Sequence, residues 1–369
     1  MSFESELASL NEWHFFEEFV YSSTKFKPQP GREVELADNL VWLGDFILAF
    51  QLKERSADSP ATGEMERNWF EKKVLGVGTK QIRDTLKYLE QDSIQLTNTR
   101  GHSVELRPAT IKKIHKLVAY LPHPLLPDDC RQVKHHMSST AGVIHIMSGH
   151  DYLGVVSTLL TPAEVADYLI FRQVIVGAFS SEALQVSEAA LVGQDLSGKH
   201  EARPAESFLD FLRSLEHRAD EWDMSGIIKR FTERTTYASG PTDYYHVIRE
   251  LALLKRQELR EFKLRFRLAE EKARADESAL PYRLASPRTG CGFVIIPVTE
   301  KFKQNRKKLL QVLTMAHKYD QRLPRCVGVV LASDEGPWYL ADWCYFDEPW
   351  EIDPQLDRFL KEANPFRPV

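Results

Sequence analysis

A chain of 369 residues can hold two or three domains, and 43% apolar with 27% charged residues is ordinary for a soluble globular protein. The formal net charge of −5 gives no overall attraction to nucleic acid, so such a site would have to be a local basic surface. Scattered cysteines without a CxxC pair argue against a disulfide framework or a zinc knuckle and predict a cytoplasmic setting. We expect no membrane contact, since no apolar run is long enough to span a bilayer and MSFESELASL does not resemble a signal peptide.

The first predicted element is a helix over residues 3–22, in which Leu7 and Leu10 begin an apolar stripe. Glu17 and Glu18 lie inside the apolar pattern near the end of this helix. Either glutamate has an ordinary interpretation as part of a solvated helix edge. A helix packed over a sheet could also deliver one of them to a polar site.

Two apolar strands joined by Gly44-Asp45 follow in DNLVWLGDFILAFQLKER and predict a tight hairpin. A two-residue turn places Asp38 opposite Gln51, and directly opposed residues share one face of a sheet. Lys53 lies two residues after Gln51 and therefore shares that face. The sequence thus predicts a carboxylate, an amide oxygen and an ammonium at the open end of a buried hairpin.

This combination suits metal-assisted hydrolysis of a phosphodiester. Mg²⁺ prefers oxygen ligands and keeps several waters, so Asp38 would be the main ligand, with the Gln51 side chain and the Leu52 carbonyl as further ligands. Lys53 would orient the attacking water or stabilise negative charge on the phosphoryl group. The alternative is a sheet-edge cluster in which Lys53 pairs with Asp38 and reaches solvent.

A helical pattern resumes near Met65, and Gly76 and Gly78 interrupt it. These glycines are interpreted as a helix break, because the segment lacks the full spacing of a phosphate-binding loop. Thr79 is predicted to cap a second helix, on which Gln81 lies beside the apolar stripe.

Further buried strands are predicted over residues 111–121 and 142–147, followed by a buried helix capped by Thr161. We therefore divide the chain into an N-terminal α/β domain (1–180), a helical region (181–280) and a small C-terminal α/β domain of unknown role (281–369). The last domain is predicted from a strand-helix-strand-strand order after residue 290.

A long helix predicted from Asp243 to Asp276 contains the basic segment KRQELREFKLRFR. One interpretation is a basic wall beside a nucleic-acid backbone, and the other is a solvated amphipathic helix with internal ion pairs. The candidate nucleic-acid contacts, which include two positions near the hairpin, are Arg55, Lys80, Arg256, Arg260, Lys263 and Arg267.

The N-terminal pattern resembles the PD-(D/E)XK nuclease superfamily, which has the restriction-endonuclease-like fold. Asp38 matches the acidic residue of that motif, and Gln51-Leu52-Lys53 matches its (E/Q)-x-K segment. FEEFV at 16–20 is similar to the first-helix motif of the superfamily, and Glu17 matches the position of its glutamate better than Glu18 does. KQIRDT at 80–85 is similar to the later helix of the superfamily, in which Gln81 would support the site. With glutamine in place of glutamate, the motif resembles that of the Mrr-like restriction enzymes and of nuclease modules in phage-defence systems.

The resemblance implies an N-terminal mixed sheet flanked by helices and a Mg²⁺-dependent endonuclease, with Mn²⁺ as a substitute. It implies DNA as the substrate, with RNA as the alternative, and a role in restriction or anti-phage defence. Nucleases of this kind often act as homodimers, and a partner subunit such as an ATPase is a candidate. Asp38 follows Ala rather than Pro, and Gln51 removes one negative charge, so the competing interpretation is an inactive nuclease fold that binds nucleic acid or a partner protein.

Overall fold

A computed structural model gives the fold of this protein. It describes residues 2–22, 25–28, 33–55, 62–215, 221–224, 240–334, 339–362 and 364–366. The chain forms two compact units, Met1–His217 and Arg218–Val369. Each contains a sheet and helices, which confirms the predicted α/β class. The segment 181–280, predicted as a separate helical region, is divided between the two units.

The N-terminal unit is built on a mixed six-stranded sheet with the order β1-β4-β5-β8-β10-β9. The inner strands β5, β8 and β10 are parallel, and the other neighbours pair antiparallel. Two small ribbons, β2-β3 and β6-β7, accompany it. The strands are β1 (Val20–Ser22), β2 (Lys25–Phe26), β3 (Val34–Glu35), β4 (Asn39–Leu43), β5 (Phe46–Lys53), β6 (Ile94–Thr97), β7 (Ser103–Leu106), β8 (Lys113–Tyr120), β9 (His135–Ser138) and β10 (Gly142–Ser148).

Helices cover both faces of this sheet. Leu48 and Phe50 point into the core shared with α1, α5, α6 and α8, whereas Ile47 and Ala49 face the side covered by α3. The helices are α1 (Phe3–Phe15), α2 (Gly63–Trp69), α3 (Thr79–Gln91), α4 (Asp128–Arg131), α5 (Gly149–Thr158), α6 (Pro162–Ala178), α7 (Ser180–Gln185), α8 (Glu188–Leu196) and α9 (Leu209–Leu215). None of the helices in the described part of the chain is long and apolar enough to cross a membrane.

The first helix is shorter than the predicted span of residues 3–22. It ends at Phe15, because Phe16 takes a φ of 67°, which an α-helix cannot accommodate. A 3₁₀ turn follows, and Val20 then pairs with Val41 as the first residue of β1. Val20, which falls within the predicted helix, therefore belongs to an edge strand.

The predicted hairpin is confirmed in type and register. Leu43 pairs with Phe46 and Asn39 with Phe50 across β4 and β5, so the turn consists of the two residues Gly44 and Asp45. Gly44 has a φ of 60°, which suits a glycine at a tight turn. The same register, extended by one residue, places Asp38 beside Gln51.

The predicted helix break at Gly76 and Gly78 is wrong. Helix α2 continues through a π-helical segment, Phe70–Gly78, directly into α3. Thr79 is not an N-cap, since its hydroxyl donates to the Leu75 carbonyl at 2.5 Å within this continuous helix. The helix remains intact because its apolar side chains, such as Phe70 and Ile82, pack on the sheet along its whole length.

The C-terminal unit contains a four-stranded sheet with the order β11-β12-β13-β14, in which β12 and β13 are parallel. Its elements are α10 (Tyr245–Ala252), α11 (Arg256–Arg274), β11 (Tyr282–Ser286), β12 (Cys291–Val298), α12 (Arg306–Asp320), β13 (Arg325–Ser333), β14 (Tyr339–Asp347) and α13 (Pro354–Glu362). The predicted strand-helix-strand-strand order is confirmed. The helix predicted from Asp243 to Asp276 is two helices, because Lys255 is extended and caps the second of them.

Candidate active site

The open end of the β4–β5 hairpin brings an aspartate and a lysine together, as predicted. Asp38 Oδ2 accepts a hydrogen bond from the Leu52 backbone N–H at 2.5 Å, and Lys53 Nζ donates to the Leu52 carbonyl at 2.7 Å. Lys53 Nζ lies 3.8 Å from Asp38 Oδ2. The Asp38 and Lys53 side chains are only 15% and 12% exposed, so this ion pair is largely removed from water.

Burial acts against the charge on both members of this pair. It raises the pKa of Asp38, although the Leu52 N–H and the Lys53 ammonium act in the opposite direction. It also lowers the pKa of Lys53 despite the carboxylate beside it. Such perturbed groups are more frequent at functional sites than elsewhere, because the fold has to hold them at a cost in stability.

Two buried amide oxygens, one of them on the residue two before Lys53 in β5, lack hydrogen-bond donors among the described residues. Gln51 is 3% exposed, and its Oε1 accepts no hydrogen bond from any described residue. The buried Oε1 of Gln81 is in the same situation. Buried acceptors are normally satisfied, so the unpaired Gln51 oxygen on the face that carries Lys53 fits the role of a ligand to a cation or water.

Helix α3 and the turn before it hold Gln81 over this face of the sheet. A Cβ at Gly78 would lie 2.8 Å from Val118 Cγ1 and 3.5 Å from Lys53 Cε, so the helix backbone approaches the lysine closely there. Two turns later, the Thr85 hydroxyl donates to the Leu36 carbonyl at 2.5 Å, just before Asp38 in the chain. Gln81 lies between these two anchors in sequence, so this part of α3 packs toward the hairpin.

The close approach at Gly78 predicts a measurable loss of stability. Gly78→Ala should lower the free energy of unfolding of the N-terminal unit by about 1–3 kcal/mol, because the added methyl group overpacks the contact with Val118. Urea unfolding of both proteins would measure the difference. Gly154→Ala is the matched control, since a Cβ at this helical glycine would meet nothing within 4 Å, and it should stabilise slightly. Equal effects of the two substitutions would contradict the proposed contact.

Glu17 and Glu18 do not reach the site. Strand β1 runs antiparallel to β4, with Val20 opposite Val41, so the residues that precede Val20 lie near the hairpin turn rather than its open end. There Glu17 Oε2 lies 3.1 Å from Arg100 Nη2, and Glu18 Oε1 lies 2.9 Å from Arg100 Nε. The prediction is wrong because the chain leaves the helix at Phe16, so that neither glutamate lies on α1.

Two carboxylates that the sequence reasoning missed lie near Asp38 instead. Glu4, in the first turn of α1, acts electrostatically to raise the pKa of Asp38. The pKa of Glu35 is raised by burial and then by the charges of Asp38 and Glu4. The start of α1 is fixed beside the end of β5, where the Phe3 N–H donates to Glu54 Oε2 at 3.1 Å. A glutamate at the start of the first helix was the available signal.

The donor set fits a hard divalent cation. The Asp38 carboxylate, the unpaired Gln51 oxygen and the Leu52 carbonyl are all oxygen donors, and Mg²⁺ completes its octahedron with water. Among the described residues, however, no group of three or more His, Cys, Asp or Glu side chains is arranged to hold a metal. The Lys53 ammonium contacts the Leu52 carbonyl, so this oxygen would have to exchange the ammonium for a metal.

The predicted nucleic-acid contacts are largely occupied by protein partners. Arg55 forms an ion pair with the buried Glu66, whereas Lys80 is exposed on α3. In α11 the Arg256 guanidinium lies 5.5 Å from the centre of the Trp222 ring, and both Arg256 and Lys263 are buried within the C-terminal unit.

Of the two remaining positions on α11, Arg260 Nε lies 3.1 Å from Glu221 Oε2, and Arg267 is exposed. Of the two interpretations of this helix, the structure favours the amphipathic helix with internal ion pairs over the basic wall, although Arg256 and Lys263 are buried rather than solvated.

The sequence matches no family model. Neither the curated proteins nor the solved structures contain a match.

Proposed function

We propose that the N-terminal unit is a metal-dependent nuclease that hydrolyses phosphodiester bonds, with DNA as the substrate. The observation that carries this proposal is the hydrogen-bonded arrangement of Asp38, Leu52 and Lys53 on two paired strands, next to the unpaired oxygen of Gln51. A buried cation-anion pair beside an unsatisfied oxygen is costly, and a packed apolar strand end would be more stable. A catalytic role accounts for that cost.

The protein residues have distinct roles in this proposal. Asp38 and the oxygens of Gln51 and Leu52 would hold Mg²⁺, which, when bound, supplies a Lewis acid and an activated water. Lys53 keeps its ammonium in a site of low exposure, where its charge stabilises negative charge on the phosphoryl oxygens. Gln81 offers a buried amide oxygen that can orient a water, and Glu4 can contribute a further carboxylate.

The wider role rests on the family resemblance of the motif. It supports DNA cleavage in restriction or anti-phage defence, by a homodimer or with a partner subunit such as an ATPase. The C-terminal unit would then contact substrate or partner, or restrain the nuclease unit.

Metal binding gives a direct test that does not require the correct substrate. Mn²⁺ titrated into the protein at neutral pH should bind, and Asp38→Asn should weaken binding at least about tenfold, because one carboxylate ligand is lost. Binding to the native protein should decline as the pH falls toward the pKa of Asp38, which lies above its ordinary value of 3.8. Calorimetry would record both results. Asp45→Asn, at the other end of the hairpin, is the control, and equal loss in both variants would exclude the site.

The second candidate function is a non-catalytic module that binds nucleic acid or a partner protein. Two observations favour it. Gln51 occupies a position at which a carboxylate would strengthen the metal site, and the Lys53 ammonium donates a hydrogen bond to the Leu52 carbonyl, which would otherwise be a metal ligand. This candidate gains if the native protein binds DNA but cuts neither DNA nor RNA with Mg²⁺ or Mn²⁺.

A further inference from the structure

A surface cavity of about 500 Å³ begins where β5 ends. Two of the residues that line it directly follow Lys53 in the chain, so it starts within about 7 Å of the proposed site along the strand. The remaining lining residues come from α2 and the π-helical segment after it. The complete lining is Glu54, Arg55, Met65, Asn68, Trp69, Lys72 and Lys73.

The charges of this cavity favour an anionic ligand. The Arg55 guanidinium is paired with Glu66, and the Glu54 carboxylate accepts the Phe3 N–H. Lys72 and Lys73 are exposed, and neither forms an ion pair with any residue that the structure describes. The lining therefore carries three cationic side chains, Arg55, Lys72 and Lys73, against the single carboxylate of Glu54, and the two lysines without ion pairs can attract phosphates in a protein of negative net charge.

The cavity also offers an aromatic and apolar surface. Trp69 is half-buried against the core beneath it, which fixes its ring, and Met65 is 42% exposed. A phosphate backbone alone gains no favourable contact from an aromatic and apolar surface. An unpaired nucleotide does, because its base is free to stack on an aromatic side chain while its phosphates follow the lysines.

We propose that this cavity binds an unpaired strand of nucleic acid next to the bond that is cut. This inference rests on the proposed nuclease function and specifies its substrate as single-stranded or locally unpaired. Trp69 stacks on a base, and Lys72 and Lys73 contact the phosphates beside it. In a duplex the bases are stacked on one another and are not available to Trp69.

The test measures binding separately from cleavage, by using the Lys53→Ala protein in EDTA. Fluorescence anisotropy should show tighter binding of a single-stranded DNA oligonucleotide than of its duplex. Trp69→Leu retains an apolar side chain against the core but no ring, and it should weaken single-strand binding about tenfold, whereas Trp69→Phe should retain most of the binding. Duplex binding should change little in either variant. Equal loss for both DNA forms would overturn the stacking role.

The lysines have their own readout in the salt dependence. Lys72→Gln and Lys73→Gln should each reduce the slope of log affinity against log salt by about 0.7 for single strands. Lys87→Gln, an exposed lysine farther along the same continuous helix, should leave the slope unchanged. An unchanged slope in all three variants would overturn the phosphate contacts. Cleavage by the native protein without a single-strand preference would refute this inference but leave the nuclease proposal standing. A single-strand binding preference without any cleavage would refute the nuclease proposal but leave single-strand binding by the cavity standing.

Discussion

Lys53→Ala should reduce Mg²⁺-dependent cleavage of DNA by about 10²–10³-fold, the usual loss when one stabilising donor is removed from a reaction centre. The physical reason is the position of the ammonium, which is 12% exposed and lies 3.8 Å from Asp38 Oδ2. In such a site the charge is poorly screened by water, so its effect on a developing phosphoryl charge is large. Initial cleavage rates of the purified proteins on single-stranded and duplex DNA would measure the loss.

Lys116→Ala is the matched control for this experiment. Lys116 is also a partly buried strand lysine that donates to a backbone carbonyl, that of Ala141 at 2.6 Å, but it belongs to β8 and lacks a carboxylate partner among the described residues. Its replacement should leave the cleavage rate within about twofold of the native rate. If cleavage survives Lys53→Ala undiminished while both variants remain folded, the assignment of the active site is wrong.

Arg172→Met should destabilise the N-terminal unit by about 3–5 kcal/mol, because it leaves a buried carboxylate without its main partner. Arg172 is 1% exposed, and its Nε donates to Glu188 Oε1 at 2.6 Å. It also donates to the carbonyls of Lys134 and Ile146, which ties α6 to the sheet. Hydrogen exchange of the β10 amides in increasing urea would report this unit separately from the other.

The same ion pair predicts the direction of the pH dependence. Burial alone would raise the pKa of Glu188, but Arg172 and Lys134 lower it to about 2, below the ordinary value of 4.5. The pair therefore stabilises the fold above pH 4.5, and this contribution is lost as the pH falls toward 2. The difference between native protein and Arg172→Met should shrink over that interval.

The control for the ion pair is an exposed one. Arg213 Nη1 lies 2.7 Å from Asp210 Oδ1, but both side chains are more than two-thirds exposed, at 71% and 75%. Arg213→Met should therefore change stability by less than about 1 kcal/mol. A comparable loss from Arg172→Met and Arg213→Met would show that burial does not set the energy of the internal pair.

The sequence by itself determined the hairpin and the polar side chains that meet at its open end. Gly44-Asp45 between two apolar runs fixes the turn length, the turn length fixes the register, and the register brings Asp38 beside Gln51. Lys53 then follows from the alternation of side chains along a strand. These inferences succeeded because each depends on residues that are close in sequence.

Only the tertiary structure decided which elements complete the site. Glu4, rather than Glu17 or Glu18, lies near Asp38, because α1 begins at the open end of the hairpin, whereas the two later glutamates lie beyond the end of α1, in the turn before β1. The sequence does not show that the helix continues through Gly78, because local glycine propensity opposes it and the packing of Phe70, Ile82 and their neighbours on the sheet maintains it. Helix direction and long-range packing join residues that are far apart in sequence, and no local pattern encodes them.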